Sequence, residues 1–543
     1  MPVFVEYALI VLAVVVFAAI IAPPVIAFYL YFFDRKQRQH SILRSYPILG
    51  RLRYLFESIG PEMRQYFFDE DNDGKPFSRV QFAEVVKSSK YLERLIGFGS
   101  KRDFEKPGFY LRNSMFPTLS TDLRVDNSSR VSTRRYVTEE EGLFTRKEHS
   151  EEFAAEPWLL ADDDAVVVGP ECRTPFVIRG LVGMSAMSYG SLGDHAIRAL
   201  SWGLGMAGGT WMNTGEGGLS PHHLEGGADI IAQIGPAKFG YRDRDGTFSW
   251  VELRKKAAMP QVKAFELKMA QGAKIRGGHL PGAKVTPEIA EIRGLEPYKD
   301  VDSPNRFHEF TDVPGMVDFI ERIREEGGKP VGVKLVLGDA TSMDELAAYM
   351  ASTGKGPDFI TIDGGEGGSG ATYSELADSV GLPIHSALVI ADDSLRRYGV
   401  RDRVKLIASG KLLTPDRMAV ALGMGADLVN VARGFMMSVG CIGAQQCHTN
   451  RCPVGVATTD PRFQQALVVG EKKYRAANYV VASRHGLYTV AAALGLRSPT
   501  EIRREHVVYR DDRGRVHNLA EWYPYPAGLP TGSGLESSPA PIP

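Results

Sequence analysis

Val331-Gly-Val-Lys-Leu335, the segment Ser342-Met-Asp-Glu-Leu-Ala-Ala-Tyr-Met-Ala-Ser352 and the run Phe359-Ile-Thr-Ile362 decide the fold between them. The first is short, apolar and β-branched, which predicts a buried strand over Val331–Leu335. Over Ser342–Ser352 the apolar residues recur at helical spacing, which predicts an amphipathic helix. Phe359–Ile362 repeats the strand pattern. Strand, helix and strand joined by short turns make a unit whose two strands lie parallel.

Reading outward from this unit, the alternation continues. Further strands are expected at Phe176–Val182, Phe265–Met269, Val404–Ala408 and Leu428–Val431, with further helices at Met316–Glu326 and Pro415–Leu422. More than 300 residues of such alternation predict an α/β fold with a parallel sheet. Chemically active residues follow directly after the strands. That favours a (β/α)8 barrel, whose site gathers at the C-terminal ends of its strands. The alternative is a doubly wound sheet, but no GxGxxG follows an early strand.

The chain has 543 residues, 44% hydrophobic and 24% charged, with 64 basic and 65 acidic residues. This near-neutral balance gives no reason to expect nucleic acid as a partner. The domains expected are a transmembrane helix at 7–33, a small linking region at 34–164, the barrel at 165–500 and a C-terminal extension at 501–543 with a disordered Pro- and Gly-rich end. Asp69-Glu-Asp71-Asn-Asp73-Gly74 has the look of a calcium loop, but its twelfth position is Val80 rather than Glu. It is read as a polar turn.

No charged residue occurs from Tyr7 to Phe33, a run longer than the ~20 residues needed to cross a bilayer. Pro23 and Pro24 are expected to kink or divide it. A cleaved signal peptide is the rival, but a basic n-region is lacking. Arg35, Lys36, Arg38, Arg44, Arg51 and Arg53 all follow the run. The positive-inside rule therefore predicts one span with everything after it in the cytoplasm.

The four cysteines are Cys172, Cys441, Cys447 and Cys452. Three within twelve residues, in Cys441-Ile-Gly-Ala-Gln-Gln-Cys447-His-Thr-Asn-Arg-Cys452-Pro453, read as metal ligands in a reducing compartment. Zinc would need a fourth ligand, which His448 would have to supply. Three thiolates without a nearby fourth suit a three-iron cluster, and Cys172 is expected to be a buried structural thiol. Ser409-Gly410-Lys411 and Ala432-Arg433-Gly434 follow the last two strands, where barrel phosphate sites commonly lie.

The cysteine segment with the following Val454-Gly-Val-Ala-Thr-Thr-Asp460 resembles the cluster segment of bacterial glutamate synthases. The likeness extends back through Ser185-Ala-Met-Ser-Tyr-Gly190, Asn213-Thr-Gly-Glu-Gly-Gly218, Glu266 to Ala290 with its QGAK and LPGAKVTPEIA, Val333-Lys-Leu335 and 365–371. It covers roughly residues 165–500. The resemblance implies a 3Fe-4S cluster on Cys441, Cys447 and Cys452, and FMN in the barrel. Ala186, Met187 and Ser188 would meet the flavin edge, with Asn213 nearby. Lys334 would stand beside the flavin N1 and O2, and Ser409–Lys411 with Ala432–Gly434 would hold its phosphate. It implies that 2-oxoglutarate is aminated to L-glutamate, with Gln271, Lys274, Arg293 and Glu216 at the substrate.

Three departures lie near that expected substrate. His279 stands where the family has Gln, Lys274–Gly278 is one residue shorter and lacks a Glu, and Met212 replaces a small polar residue. Another amino or keto acid, or a membrane electron-relay role, therefore stays open. Full glutamate synthases begin with a glutaminase domain whose nucleophile is an N-terminal cysteine. No cysteine precedes Cys172, so glutamine hydrolysis by that route is not expected. Without a dinucleotide fingerprint, electrons are expected from a ferredoxin, an NAD(P)H-oxidising subunit or a membrane donor.

Overall fold

Val331–Leu335 forms a strand with the bounds expected, and the helix after it runs Thr341–Thr353. They belong to a computed structural model that describes residues 3–141, 146–243, 245–272, 278–368, 370 and 372–526. Eight parallel strands close into a barrel in chain order. They are β1 (Val182–Met184), β2 (Trp211–Asn213), β3 (Asp229–Ile234), β4 (Val262–Lys268), β5 (Val331–Leu335), β6 (Phe359–Asp363), β7 (Lys405–Ser409) and β8 (Leu428–Val431). The register sets Leu267 opposite Val333, Val333 opposite Ile360 and Val429 opposite Val182, with one irregularity, between Ile230 and Ile231 where β3 meets β4.

Two of these strands escape the sequence pattern. β2 has three residues, one of them Asn213, and β3 sits between polar turns. The expected strand Phe176–Val182 is in fact two. Phe176–Ile178 pairs antiparallel with Val166–Val168 outside the barrel, and β1 starts only at Val182. Arg179-Gly180 between them breaks the run. Arg484 lies 2.5 Å from where a Cβ on Gly180 would stand.

Buried apolar residues from facing strands fill the wall: Phe265, Val333, Ile360 and Val429 are each fully buried. Burial of one such side chain contributes about 1.5–3 kcal/mol. The centre holds Trp211 from β2, fully buried, with its Nε1 donating to Asn430 Oδ1 of β8 at 2.9 Å. A Cβ on Gly183 of β1 would stand 2.1 Å from the Trp211 ring, so this backbone approach requires glycine.

The chain divides into two compact units, 1–80 and 81–543, so residues 81–164 group with the barrel. In the second unit, Gly108–Leu111 joins Val507–Arg510 and Val516–Asn518 in a three-stranded antiparallel sheet. The expected disordered tail falls on 527–543, outside the described residues. In the first unit, one helix runs Val3–Lys36 with Pro23 and Pro24 inside it, undivided. Its segment Leu9–Lys36 is long and apolar enough to cross a membrane, a property signal sequences share.

Candidate functional site

Each barrel strand delivers its last residues to one rim. A cleft there, partly open to solvent, is walled by residues from several strand ends, the concave setting in which ligand sites form. Of the residues singled out in the sequence, Ala186, Met187, Ser188, Glu216, Gln271, His279, Arg293, Ala432, Arg433 and Cys447 line it. Asn213, Lys334, Ser409, Gly410, Lys411, Gly434, Cys441 and Cys452 are not in its lining. Lys274 lies outside the described residues.

Lys334, at the end of β5, is 2% exposed. Its Nζ lies 3.1 Å from Asp363 Oδ2 on β6 and donates to Ser185 Oγ at 3.5 Å. Asp363 Oδ2 also accepts the Gly272 N–H at 3.1 Å, which fixes the turn that carries Gln271. Lys334 is thus a buried, paired cation on the barrel rim, not a solvated surface group.

Below this lies a buried carboxylate. Glu266 of β4 is fully buried. Its Oε2 accepts from Asn213 Nδ2 at 2.8 Å and Gln233 Nε2 at 2.6 Å, and its Oε1 accepts from Thr361 Oγ1 at 2.6 Å. Four strands, β2, β3, β4 and β6, are tied through one side chain. Asn213 therefore supports the floor of the site. Gln233 reaches the cleft, and its Oε1 is a buried acceptor with no partner among the described residues.

The cationic wall is built by Arg293, Lys268 and Lys284. Arg293 ends the helix Pro287–Arg293 and is 5% exposed. It donates from Nη2 to Tyr189 O at 2.9 Å, and its Nε is buried with no partner among the described residues. Burial pulls the guanidinium pKa down to about 10, with Glu216 opposing. Lys268, at the end of β4, pairs with Glu216 at 2.7 Å. Gly235 makes room for Glu216, whose Oε2 lies 2.6 Å from where a Cβ would stand.

Lys284 is 2% exposed and donates to Ser191 O at 3.2 Å, Cys447 O at 2.8 Å and Ala457 O at 3.0 Å. Burial lowers its pKa to about 8, with Cys447 and Cys452 opposing. The sequence reading missed Lys268, Lys284, Asp363 and Gln233. Their visible signal was position alone: Lys268, Gln233 and Asp363 sit at or beside strand C-termini.

His279 is exposed and bonds through Nδ1 to Asp302 Oδ1 at 3.0 Å, in the two-stranded ladder His279–Leu280 with Val301–Asp302. Cys441 follows the helix Arg433–Ser438. Burial pushes its thiol up, while the Gly443 N–H, donating to its Sγ at 3.5 Å, opposes. Cys447 and Cys452 are close enough to add to that rise. Among the described residues, no three His, Cys, Asp or Glu side chains stand at metal-ligand geometry. Cys172 is a buried free thiol, raised to about 12 by burial.

Residues 118–497 match the family model described as the conserved region in glutamate synthase. The chain is 56% identical over 513 residues to "Glutamate synthase large subunit-like protein YerD" of Bacillus subtilis (strain 168), covering 94% of this chain and 98% of that one. It is 31% identical over 352 residues to the "Archaeal-type glutamate synthase (NADPH)" of Thermotoga maritima, covering 64% and 66%. Against the "Glutamate synthase (NADPH) large chain" of Bacillus subtilis it is 32% identical over 341 residues, only 21% of that protein. Among solved structures, a mutant flavocytochrome b2 with benzoylformate aligns at 13% identity with a TM-score of 0.42, covering 89% and 93%. Because the matched segment takes in all eight barrel strands and the three-cysteine segment, the chain belongs to the glutamate synthase family of oxidoreductases.

Proposed function

We propose that this protein forms L-glutamate from 2-oxoglutarate and ammonia or amide nitrogen, using FMN in the barrel mouth and a 3Fe-4S cluster on Cys441, Cys447 and Cys452. The observation that carries the reading is the convergence of Arg293, Gln271 and the Glu216–Lys268 pair on the one cleft that Cys447 also lines. When bound, the cluster supplies single-electron transfer and the flavin supplies hydride chemistry.

The residues fit these groups. Gln233 offers a ring N–H a buried acceptor that has no partner among the described residues. Lys334 offers a buried ammonium that favours negative charge at the ring edge. For the phosphate, Gly410 has φ +151°, and Arg433 Nη2 lies 3.2 Å from where a Cβ on Gly368 would stand. Backbone and guanidinium thus approach closely there, as anion binding requires. For the cluster, three thiols are the right donors, and Gly370 leaves room beside Cys447, whose Cβ would lie 2.9 Å from an added one.

On the substrate side, Arg293 binds a carboxylate, for which its buried, partly unpaired guanidinium is suited. Lys268 holds Glu216 at the cleft wall, and this ammonium–carboxylate pair keeps a proton next to the nitrogen being added. Lys274, read as a second cation for the dicarboxylate, joins this proposal from the sequence alone. A different amino or keto acid is the second reading. Its motive is His279, which points to Asp302 on an exposed ladder where the family has Gln.

The apolar helix is read as a single-pass anchor with the catalytic unit in the cytoplasm, from the basic residues that follow it. Electrons are proposed to come from a ferredoxin or an NAD(P)H-oxidising subunit. The test is anaerobic purification in detergent, followed by flavin and iron analysis and titration with L-glutamate. Bleaching of the flavin by glutamate, and its recovery with 2-oxoglutarate plus ammonium, is expected. A flavin- and iron-bearing protein inert to both would shift the reading to another amino or keto acid. Absence of flavin and iron would refute it.

A further inference from the structure

The first unit carries a second apolar surface besides the long helix. The helix Gly50–Met63 continues through one wider turn, Arg64–Phe68. Leu52, Leu55, Phe56, Ile59 and Met63 recur at spacings of three and four, which places them on one stripe about 100° wide at 3.6 residues per turn. All five are exposed, Phe56 at 64% and Leu55 at 52%, so no described residue covers the stripe. Tyr66 and Phe67 extend it and are also exposed. Arg53, Glu57 and Arg64 occupy the other faces, with Arg53 donating to Glu57 at 2.6 Å. An uncovered stripe on a polar-backed helix is the pattern of a helix lying in a membrane interface.

Two observations say what covers it. The helix starts only fourteen residues after the apolar helix ends at Lys36. It is also tied back to that end: Asp34, fully buried, accepts from Arg51 Nε at 3.0 Å and from the Ile48 N–H at 3.0 Å. The stripe is therefore held beside the point where the apolar helix gives way to charge. Between residues 34 and 64 there are seven Arg or Lys against three Asp or Glu. That excess complements the negative surface of a cytoplasmic leaflet.

We infer that Gly50–Phe68 is an interfacial helix whose Leu52–Leu55–Phe56–Ile59–Met63 stripe sits in the headgroup and acyl boundary of an anionic bilayer, with the Asp34–Arg51 pair setting its angle to the span. The inference rests on the reading of the N-terminal helix as a membrane anchor. Its consequence is positional: such a helix restrains the segment from which the catalytic unit departs.

The full-length protein in phosphatidylcholine–phosphatidylglycerol vesicles tests this by quenching with bromine-labelled acyl chains. Three variants, Phe56→Trp, Arg53→Trp and Phe17→Trp, each add one tryptophan to the five native ones, whose emission in the wild type is subtracted. For Phe56→Trp, bromolipid is expected to cut the added emission roughly two-fold, the depth of an interfacial apolar face. Arg53→Trp, on the polar side, is expected to change little. Phe17→Trp reports the anchor. If it is quenched and Phe56→Trp is not, the interfacial helix is refuted and the anchor stands. If neither is quenched, both fail. Emission from Phe56→Trp that is blue-shifted but insensitive to bromolipid would assign the stripe to a protein surface, and would also overturn the inference.

Discussion

Glu266 is the side chain whose removal the structure predicts most sharply. It is fully buried, and its carboxylate is the acceptor for Asn213, Gln233 and Thr361. Replacing it with Leu leaves an N–H on each of two buried amides without its acceptor. The Thr361 hydroxyl is spared in part, since it can rotate. At 1–3 kcal/mol for each orphaned donor, Glu266→Leu should cost about 2–6 kcal/mol, a large share of the ~5–15 kcal/mol that holds a folded protein together. Glu266→Gln is the control. Its oxygen can keep both amide donors, while its own N–H₂ faces a hydroxyl able to accept. It should cost about 1 kcal/mol or less. Urea titration of the detergent-solubilised protein, followed by tryptophan emission, measures both; Trp211 shares β2 with Asn213 and reports locally. Equal midpoints for the Leu and Gln variants, or a Leu variant as stable as wild type, would refute the view that unsatisfied donors rather than volume set the cost.

Lys334→Met should weaken flavin binding and make the flavin harder to reduce, read by fluorescence titration and a shift to more negative potential; an unchanged potential would remove Lys334 from the flavin edge. Cys452→Ser should abolish most of the bound iron while leaving flavin content and secondary structure intact, measured by iron assay and circular dichroism. Stability should fall on acidification through His223, which is fully buried and held at a pKa of about 3 by burial, with His222 adding to the drop. Its folded pKa lies below the ordinary ~6.5, so the unfolded chain binds the proton first; stability is fully present above pH ~6.5 and is lost as pH falls toward 3, by up to ~1.4 kcal/mol per pH unit. His223→Asn can still accept from the Ser220 N–H, as His223 Nδ1 does at 3.1 Å. It should flatten that slope in denaturation midpoints taken from pH 7 to 4, and an unaltered slope would show that other groups carry it.

The site was legible in proportion to how local its signals are. Ala186–Ser188, Glu216, Gln271, Arg293 and Arg433 were visible in ordered motifs and do line the cleft. Arg293 ends a helix that packs inward, which leaves it 5% exposed rather than a solvated charge on a helix surface. Lys284 was passed over because a lysine at the end of an LPGAK turn carries no local sign of burial. Its three carbonyl partners come from residues 191, 447 and 457. β2 escapes the pattern because three residues ending in Asn are too few to show a period, and β3 because it opens on Asp229 and carries Gln233 inside its apolar run. Phe176–Val182 was read as one strand because all its apolar residues looked alike. Only the turn packed against Arg484 separates its ends.

Legible from consecutive residues alone are the alternation of strands and helices, the cysteine spacing, the apolar N-terminal run and its basic flank. All of these are periodicities or local chemistries carried by consecutive residues. Tertiary structure decided which polar groups face one another. Glu266 gathers donors from three other strands, Lys334 meets Asp363 across β5 and β6, Lys268 meets Glu216 over a span of 52 residues, and Asp34 reaches Arg51. Such pairings depend on barrel closure and on the bend that follows Lys36. They bring together residues that the chain keeps far apart, and burial then makes each pairing obligatory.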